Sequence, residues 1–134
     1  MGLQHIKAIN KSKKASLHSI VDINKDALSL SKKFNIPVFK NCKELLNKNK
    51  PDAVIVATPT QLHKIHTINF LKSKIPVLLE KPISDNLASA EKIIDSSKTY
   101  KTPLLIGYHR RHNSIVTKVK QEIESGKLGK VVAA

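Results

Sequence analysis

A chain of 134 residues with 40% hydrophobic content suits one domain with a single core, and its four Gly and six Pro are too few for a collagen-like or disordered composition. The formal charge of +14 raises nucleic acid as a partner, yet all of the 24 basic residues except Arg110 and Arg111 are lysines, scattered through nearly every segment. That distribution reads as a solvated, lysine-biased surface rather than a base- or phosphate-reading patch, so no nucleic-acid partner is expected.

In chain order, Gly2 to Ile6 opens on a helical pattern without the apolar core and cleavage site of a signal peptide. Short β-rich runs follow at Leu17 to Asp22, Pro37 to Phe39, Ala53 to Ala57, Val77 to Glu80 and Leu104 to Gly107, with Val131 and Val132 starting another. Between them, apolar residues repeat at three and four: Ala27, Leu30 and Phe34; Leu62, Ile65, Ile68 and Leu71; Leu87, Ala90 and Ile94; Val116, Val119 and Ile123. Each stripe is expected to face a core. Thr60 and Ser84 are placed as helix N-caps, and Gly126 as a helix stop before a turn at Lys127 to Gly129. Strands alternating with helices predict an α/β fold with a doubly wound parallel sheet. One unit over 1–125 is expected, with a break near Gly126 to Gly129 and a second unit starting over 126–134. The apolar runs are far shorter than the roughly 20 residues of a membrane span. The single Cys42 excludes an intrachain disulfide and fits a reducing compartment, so a cytoplasmic location is expected.

Chemistry-bearing residues cluster where the predicted strands end. Asp22 closes the first, where a carboxylate can accept hydrogen bonds from both hydroxyls of an adenosine ribose and repel a 2′-phosphate; it can equally open the turn Asp22-Ile23-Asn24. Ala57 leads into Thr58-Pro59-Thr60-Gln61-Leu62-His63, a loop of amides and hydroxyls at a helix N-terminus that suits an anion, or simply a turn and cap. His63 and His66 could face one way, but no nearby Cys, Asp or Glu completes a metal site, and none is expected. Glu80-Lys81-Pro82 carries an acid and a base to the same edge, where the ammonium can donate to a substrate oxygen, or the pair can be a surface ion pair before a turn. Tyr108-His109-Arg110-Arg111-His112 follows the next strand and suits phosphate, carboxylate or a nicotinamide, or is a basic loop on a basic protein.

The ordered set Met1-Gly2-x-x-His5, Val21-Asp22, Ala57-Thr58-Pro59-Thr60-x-x-His63, Glu80-Lys81-Pro82, Gly107-Tyr108-x-Arg110-Arg111 and Ser125-Gly126-x-Leu128-Gly129 resembles the Gfo/Idh/MocA oxidoreductases, over essentially the whole chain. The resemblance implies a Rossmann fold binding NAD, with NADP possible, followed by a larger α/β domain that takes a sugar, cyclitol or related alcohol. It implies Lys81 as the active-site lysine, bonded to the substrate hydroxyl or carbonyl that exchanges hydride and counted among the cofactor-binding residues. Glu80, Thr58, Pro59, Leu62 and His63 would lie on the nicotinamide side, Asp22 on the adenosine ribose, and His109 near the nicotinamide ribose or substrate.

Two departures follow from the same comparison. The family's phosphate loop reads G-x-G-x-x-G; Gly2 matches the third glycine, while the first two and the strand before them are absent from this sequence. The substrate domain, with the Asp and His that work beside the lysine, is likewise absent. The expectation is therefore an incomplete dehydrogenase with little or no activity as an isolated chain, homo-oligomeric only as a full-length parent. A non-catalytic remnant of the family is the alternative, and a basic nucleic-acid-binding domain a second.

Overall fold

The computed structural model describes residues 1–48 and 50–132. Helix α1 (Gly2–Lys11) opens the chain and is followed by strand β1 (Ile20–Val21), α2 (Ala27–Phe34), β2 (Val38–Phe39) and α3 (Cys42–Lys48). Then come β3 (Val54–Val56), a 3₁₀ turn Thr60–Leu62, α4 (His63–Lys72), β4 (Val77–Leu79), α5 (Leu87–Tyr100), β5 (Leu104–Ile106), a 3₁₀ turn His109–His112 and α6 (Ser114–Glu124).

All strand pairing is parallel, in two ladders: β1 with β2, and β3-β4-β5 in sequence order. The strands are Val/Ile/Leu runs, as parallel strands covered by helices require. One core spans both ladders, joining Phe39 and Val21 to Val56, Leu71, Leu79 and Ile93, of which the last three are fully buried. Every strand core falls inside its expected run but is shorter, and the residues just beyond the ends of β1, β4 and β5, Asp22, Glu80 and Gly107, keep one hydrogen bond each to the neighbouring strand. Val131 and Val132 form no strand, and Val132 is 91% exposed: with no neighbouring backbone to bond, apolar residues alone make no ladder. Residues 133 and 134, part of the expected second unit, lie outside the described residues.

The helices keep their expected places; α2 turns Ala27, Leu30 and Phe34 inward as expected, while α4, α5 and α6 depart from their stripes in part or whole. α4 buries His63, Thr67, Phe70 and Leu71, while Leu62 and Ile65 are exposed. α5 buries Ser89 and Ile93 and exposes Leu87 and Ile94. α6 buries nothing; Val116, Val119 and Ile123 face outward, because this helix packs chiefly against the 3₁₀ turn before it. α5 is capped by Asn86, whose Oδ1 accepts from the Ser89 amide at 2.9 Å, and not by Ser84, whose hydroxyl donates to the Asn86 carbonyl. Thr60 makes no cap bond, since Pro59 precedes a 3₁₀ turn rather than the helix itself. Gly126 stops α6 as expected, at φ +73°, a conformation costly for any residue with a Cβ.

The β3 edge away from β4 carries no ladder among the described residues. The amide of Val54 donates toward β4, to Pro76, so alternation turns the Ile55 amide to the open side. Ile55 is expected to exchange its amide hydrogen at least about tenfold faster than Leu78 in β4, whose both sides are paired. Hydrogen exchange followed by NMR checks this, and equal protection would mean that the β3 edge is covered.

Candidate functional site

Parallel register decides what meets at the site. Val56 aligns with Leu79 and Leu79 with Ile106, so β3, β4 and β5 end level and their following segments leave the sheet at one edge. These segments are Ala57 to Thr60, Glu80 to Pro82, and Gly107 to His109. The start of α1 reaches the same edge: Met1 joins Thr58, Pro59, Thr60, His63, Glu80 and Lys81 around a cleft of about 380 Å³.

Glu80 is the best-held charge in the cleft. It is 5% exposed, and His5 Nε2 lies 2.7 Å from its Oε1, across 75 positions of sequence. Its Oε2 accepts from the Lys81 amide at 3.2 Å. Burial pushes the carboxyl pKa up, but the His5 hydrogen bond, the Lys81 amide and the nearby charges of His5 and His109 outweigh it and hold the group below its usual value. The ionised carboxylate is thus fixed under the cleft. Lys81 is exposed, makes no ion pair among the described residues, and precedes a cis peptide to Pro82.

The remaining predicted residues are spread around this point. Thr58 Oγ1 is buried and has no hydrogen-bond partner among the described residues. His63 is 1% exposed, with Nδ1 2.9 Å from the Pro82 carbonyl and Nε2 3.0 Å from the Thr58 carbonyl. Leu62 ends the 3₁₀ turn, 42% exposed, and does not line the cleft. Asp22 follows β1 and opens the turn: its Oδ1 accepts from the Asn24 amide at 2.8 Å, while Oδ2 has no partner among the described residues. Gly2 opens α1, and a Cβ built on it meets no atom within 4 Å, so packing does not demand glycine there. His109 opens its own 3₁₀ turn, close enough to Glu80 to favour the carboxylate.

His66 is drawn away from His63 to Cys42, with Nδ1 3.3 Å from Sγ. Burial pushes the Cys42 thiol pKa up and, together with the charge of His63, pushes His66 down. The role of His5 beside Glu80 was not legible in the sequence. The available signal was general: a buried acid needs a cation or donors, and Glu80 ends an apolar strand.

The family model for the Gfo/Idh/MocA oxidoreductases, described as an oxidoreductase family with an NAD-binding Rossmann fold, matches residues 1–108. The chain belongs to this family. It is 31% identical over 132 residues to myo-inositol 2-dehydrogenase of Thermotoga maritima, covering 97% of this chain and 40% of that protein. It is also 31% identical over 130 residues to glucose-6-phosphate 3-dehydrogenase of Bacillus subtilis, covering 96% of this chain and 37% of that one. Among solved structures it superposes on the WlbA dehydrogenase of Bordetella pertussis, in complex with NADH and UDP-GlcNAcA, with a TM-score of 0.90 at 25% identity over 96% of this chain and 38% of that one. The chain thus spans about 40% of the length of the relatives it matches. The Rossmann-like fold expected from the Gfo/Idh/MocA resemblance is the fold observed.

Removing the partner of a buried carboxylate leaves its desolvation uncompensated, which costs about 1–3 kcal/mol. His5→Ala is expected to lower stability by that amount at neutral pH. Because the native Glu80 pKa is depressed, its contribution is present above the unfolded carboxyl value and lost as pH falls through the native one. The His5→Ala deficit should therefore shrink in urea melts at a pH below the ordinary carboxyl value. An equal deficit at both pH values would contradict the ionic pairing.

Proposed function

We propose that the chain is the nucleotide-binding part of an NAD-dependent dehydrogenase, with residues 1–125 as the binding unit and a boundary following α6 at Gly126 to Gly129. The reaction is hydride transfer with a sugar, cyclitol or related alcohol or carbonyl. The single observation that carries this is the placement of an exposed Lys81 beside a buried, ionised Glu80, at the sheet edge where the Thr58 loop and the start of α1 also end. Ligands of open parallel sheets bind at that edge. The names of the relatives, an inositol and a sugar-phosphate dehydrogenase, support the substrate class.

The polar groups present suit the cofactor. Thr58 Oγ1 is a buried hydroxyl with bonding capacity unused by the protein, Gly2 leaves open space before the first turn of α1, and Asp22 keeps one free carboxylate oxygen at the end of β1. In this reading Asp22 takes the adenosine ribose, while Gly2, Thr58, Pro59, Leu62, His63, Glu80, Lys81 and His109 form the rest of the cofactor site. Bound nicotinamide supplies or accepts the hydride at its C4.

Lys81 performs the proton chemistry. Its ammonium donates to the substrate carbonyl oxygen during reduction, and its amine takes the hydroxyl proton during oxidation. Glu80 is unsuited to that proton, because His5 and the Lys81 amide occupy its oxygens. Its carboxylate instead holds the lysine backbone, accepting from the Lys81 amide.

The carboxylate of Asp22 repels a 2′-phosphate and accepts from a 2′-hydroxyl. The chain is expected to bind NADH at least about tenfold more tightly than NADPH, a difference of about 1.4 kcal/mol, and Asp22→Ala is expected to narrow the gap. Titrations followed by NADH fluorescence measure both. NADPH binding as tight as NADH, or a gap unchanged in Asp22→Ala, would count against this assignment.

A further inference from the structure

His63 has an arrangement that a cofactor-lining role does not explain. Its ring is almost wholly buried, and both nitrogens lie at hydrogen-bond distance from main-chain carbonyl oxygens, Pro82 on one side and Thr58 on the other. Both partners accept and neither can donate. A neutral imidazole carries one N–H and one lone pair, so it satisfies one carbonyl and turns a lone pair toward the other. The imidazolium donates to both.

The two carbonyls belong to different loops. Thr58 leaves β3, and Pro82 stands directly after Lys81 beyond β4. Among the described residues, no strand hydrogen bond reaches past Glu80 to align these loops: the last one between them runs from the Glu80 amide to the Val56 carbonyl. Beyond it, the His63 ring is the link between the Thr58 loop and the residue that follows the lysine.

We infer that His63 is a positioning residue which, with its ring protonated, braces the Thr58 carbonyl against the Pro82 carbonyl and so sets where Lys81 presents its ammonium. This rests on the reading of Lys81 as the group that meets the substrate. Several charged and titratable groups surround the brace. Glu80 lines the same cleft as an ionised carboxylate, with His5 and His109 near it; Lys81 is exposed; and His66, one turn along α4, is held toward its neutral form partly by the charge of His63. A neutral ring keeps only one of the two contacts.

The test uses the full chain, isotopically labelled, without cofactor. At about pH 6, NMR is expected to show two ring N–H protons on His63, each coupled through its hydrogen bond to a carbonyl carbon, one of Thr58 and one of Pro82. His63→Ala is expected to speed Lys81 amide exchange about tenfold or more while leaving Ile93, in the core of α5, within about twofold. His63→Gln, which keeps a two-proton donor, should recover part of the protection. A single ring N–H throughout, an absent coupling to either carbonyl at about pH 6, or equal acceleration at Lys81 and Ile93 would overturn the brace. None of these readouts involves nucleotide or substrate, so failure of the dehydrogenase reading would show separately, in the NADH titrations.

Discussion

Parallel pairing is the constraint from which the rest follows. Strands that run the same way and end level must release their next residues at one edge, and here β3, β4 and β5 do so within a single aligned row, Val56, Leu79 and Ile106. Fully buried Leu71, Leu79 and Ile93 fix that row from behind. Polar groups that could not survive inside the core, the Thr58 hydroxyl, the Glu80 carboxylate and the Lys81 ammonium, are thereby gathered where the helices no longer cover the sheet. Function at this edge is a consequence of topology before it is a consequence of any motif.

A buried acid at that edge needs compensation, and the compensation comes from the far end of the sequence. His5 on α1 donates to Glu80, and the backbone after Glu80 folds back so that the Lys81 amide donates to the other oxygen. His63 then holds the next residue through its carbonyl. The tripeptide Glu80-Lys81-Pro82 is thus fastened on both sides of the lysine by histidines, one through a side chain and one through the backbone, leaving the ammonium as the part that is free. In the proposed reading, a lysine on a held backbone with an exposed ammonium serves proton transfer to the substrate, in a family whose relatives include an inositol and a sugar-phosphate dehydrogenase.

The fold was legible because buried parallel strands are continuous apolar runs, and Val54-Ile55-Val56 and Val77-Leu78-Leu79 announce themselves. Helix faces were less legible. A periodicity that scores only apolar residues put Leu62 and Ile65 of the α4 region in the core, whereas the helix turns His63 and Thr67 inward, the former with its polar atoms satisfied by loop carbonyls. α3 was missed because seven residues with only Leu45 buried make no stripe. At the site, the residues came from an ordered motif, but their division of labour did not. His63 was expected on the nicotinamide side, and only the positions of Thr58 and Pro82 show its ring nitrogens already engaged. Of the turn and ribose readings that competed for Asp22, the turn is the one seen, through one of its two oxygens.

The central claim is that one sheet edge binds the dinucleotide and aims it at Lys81. Its most direct test is a map of NMR shift changes on adding NADH to the full chain. The account predicts changes concentrated at Gly2, Asp22, Thr58, Glu80, Lys81 and His109, with α6 and the lysine-rich outer faces of α2 and α5 unmoved. Changes spread over those lysine-rich faces, or confined to residues away from the ends of β1, β3 and β4, would contradict it.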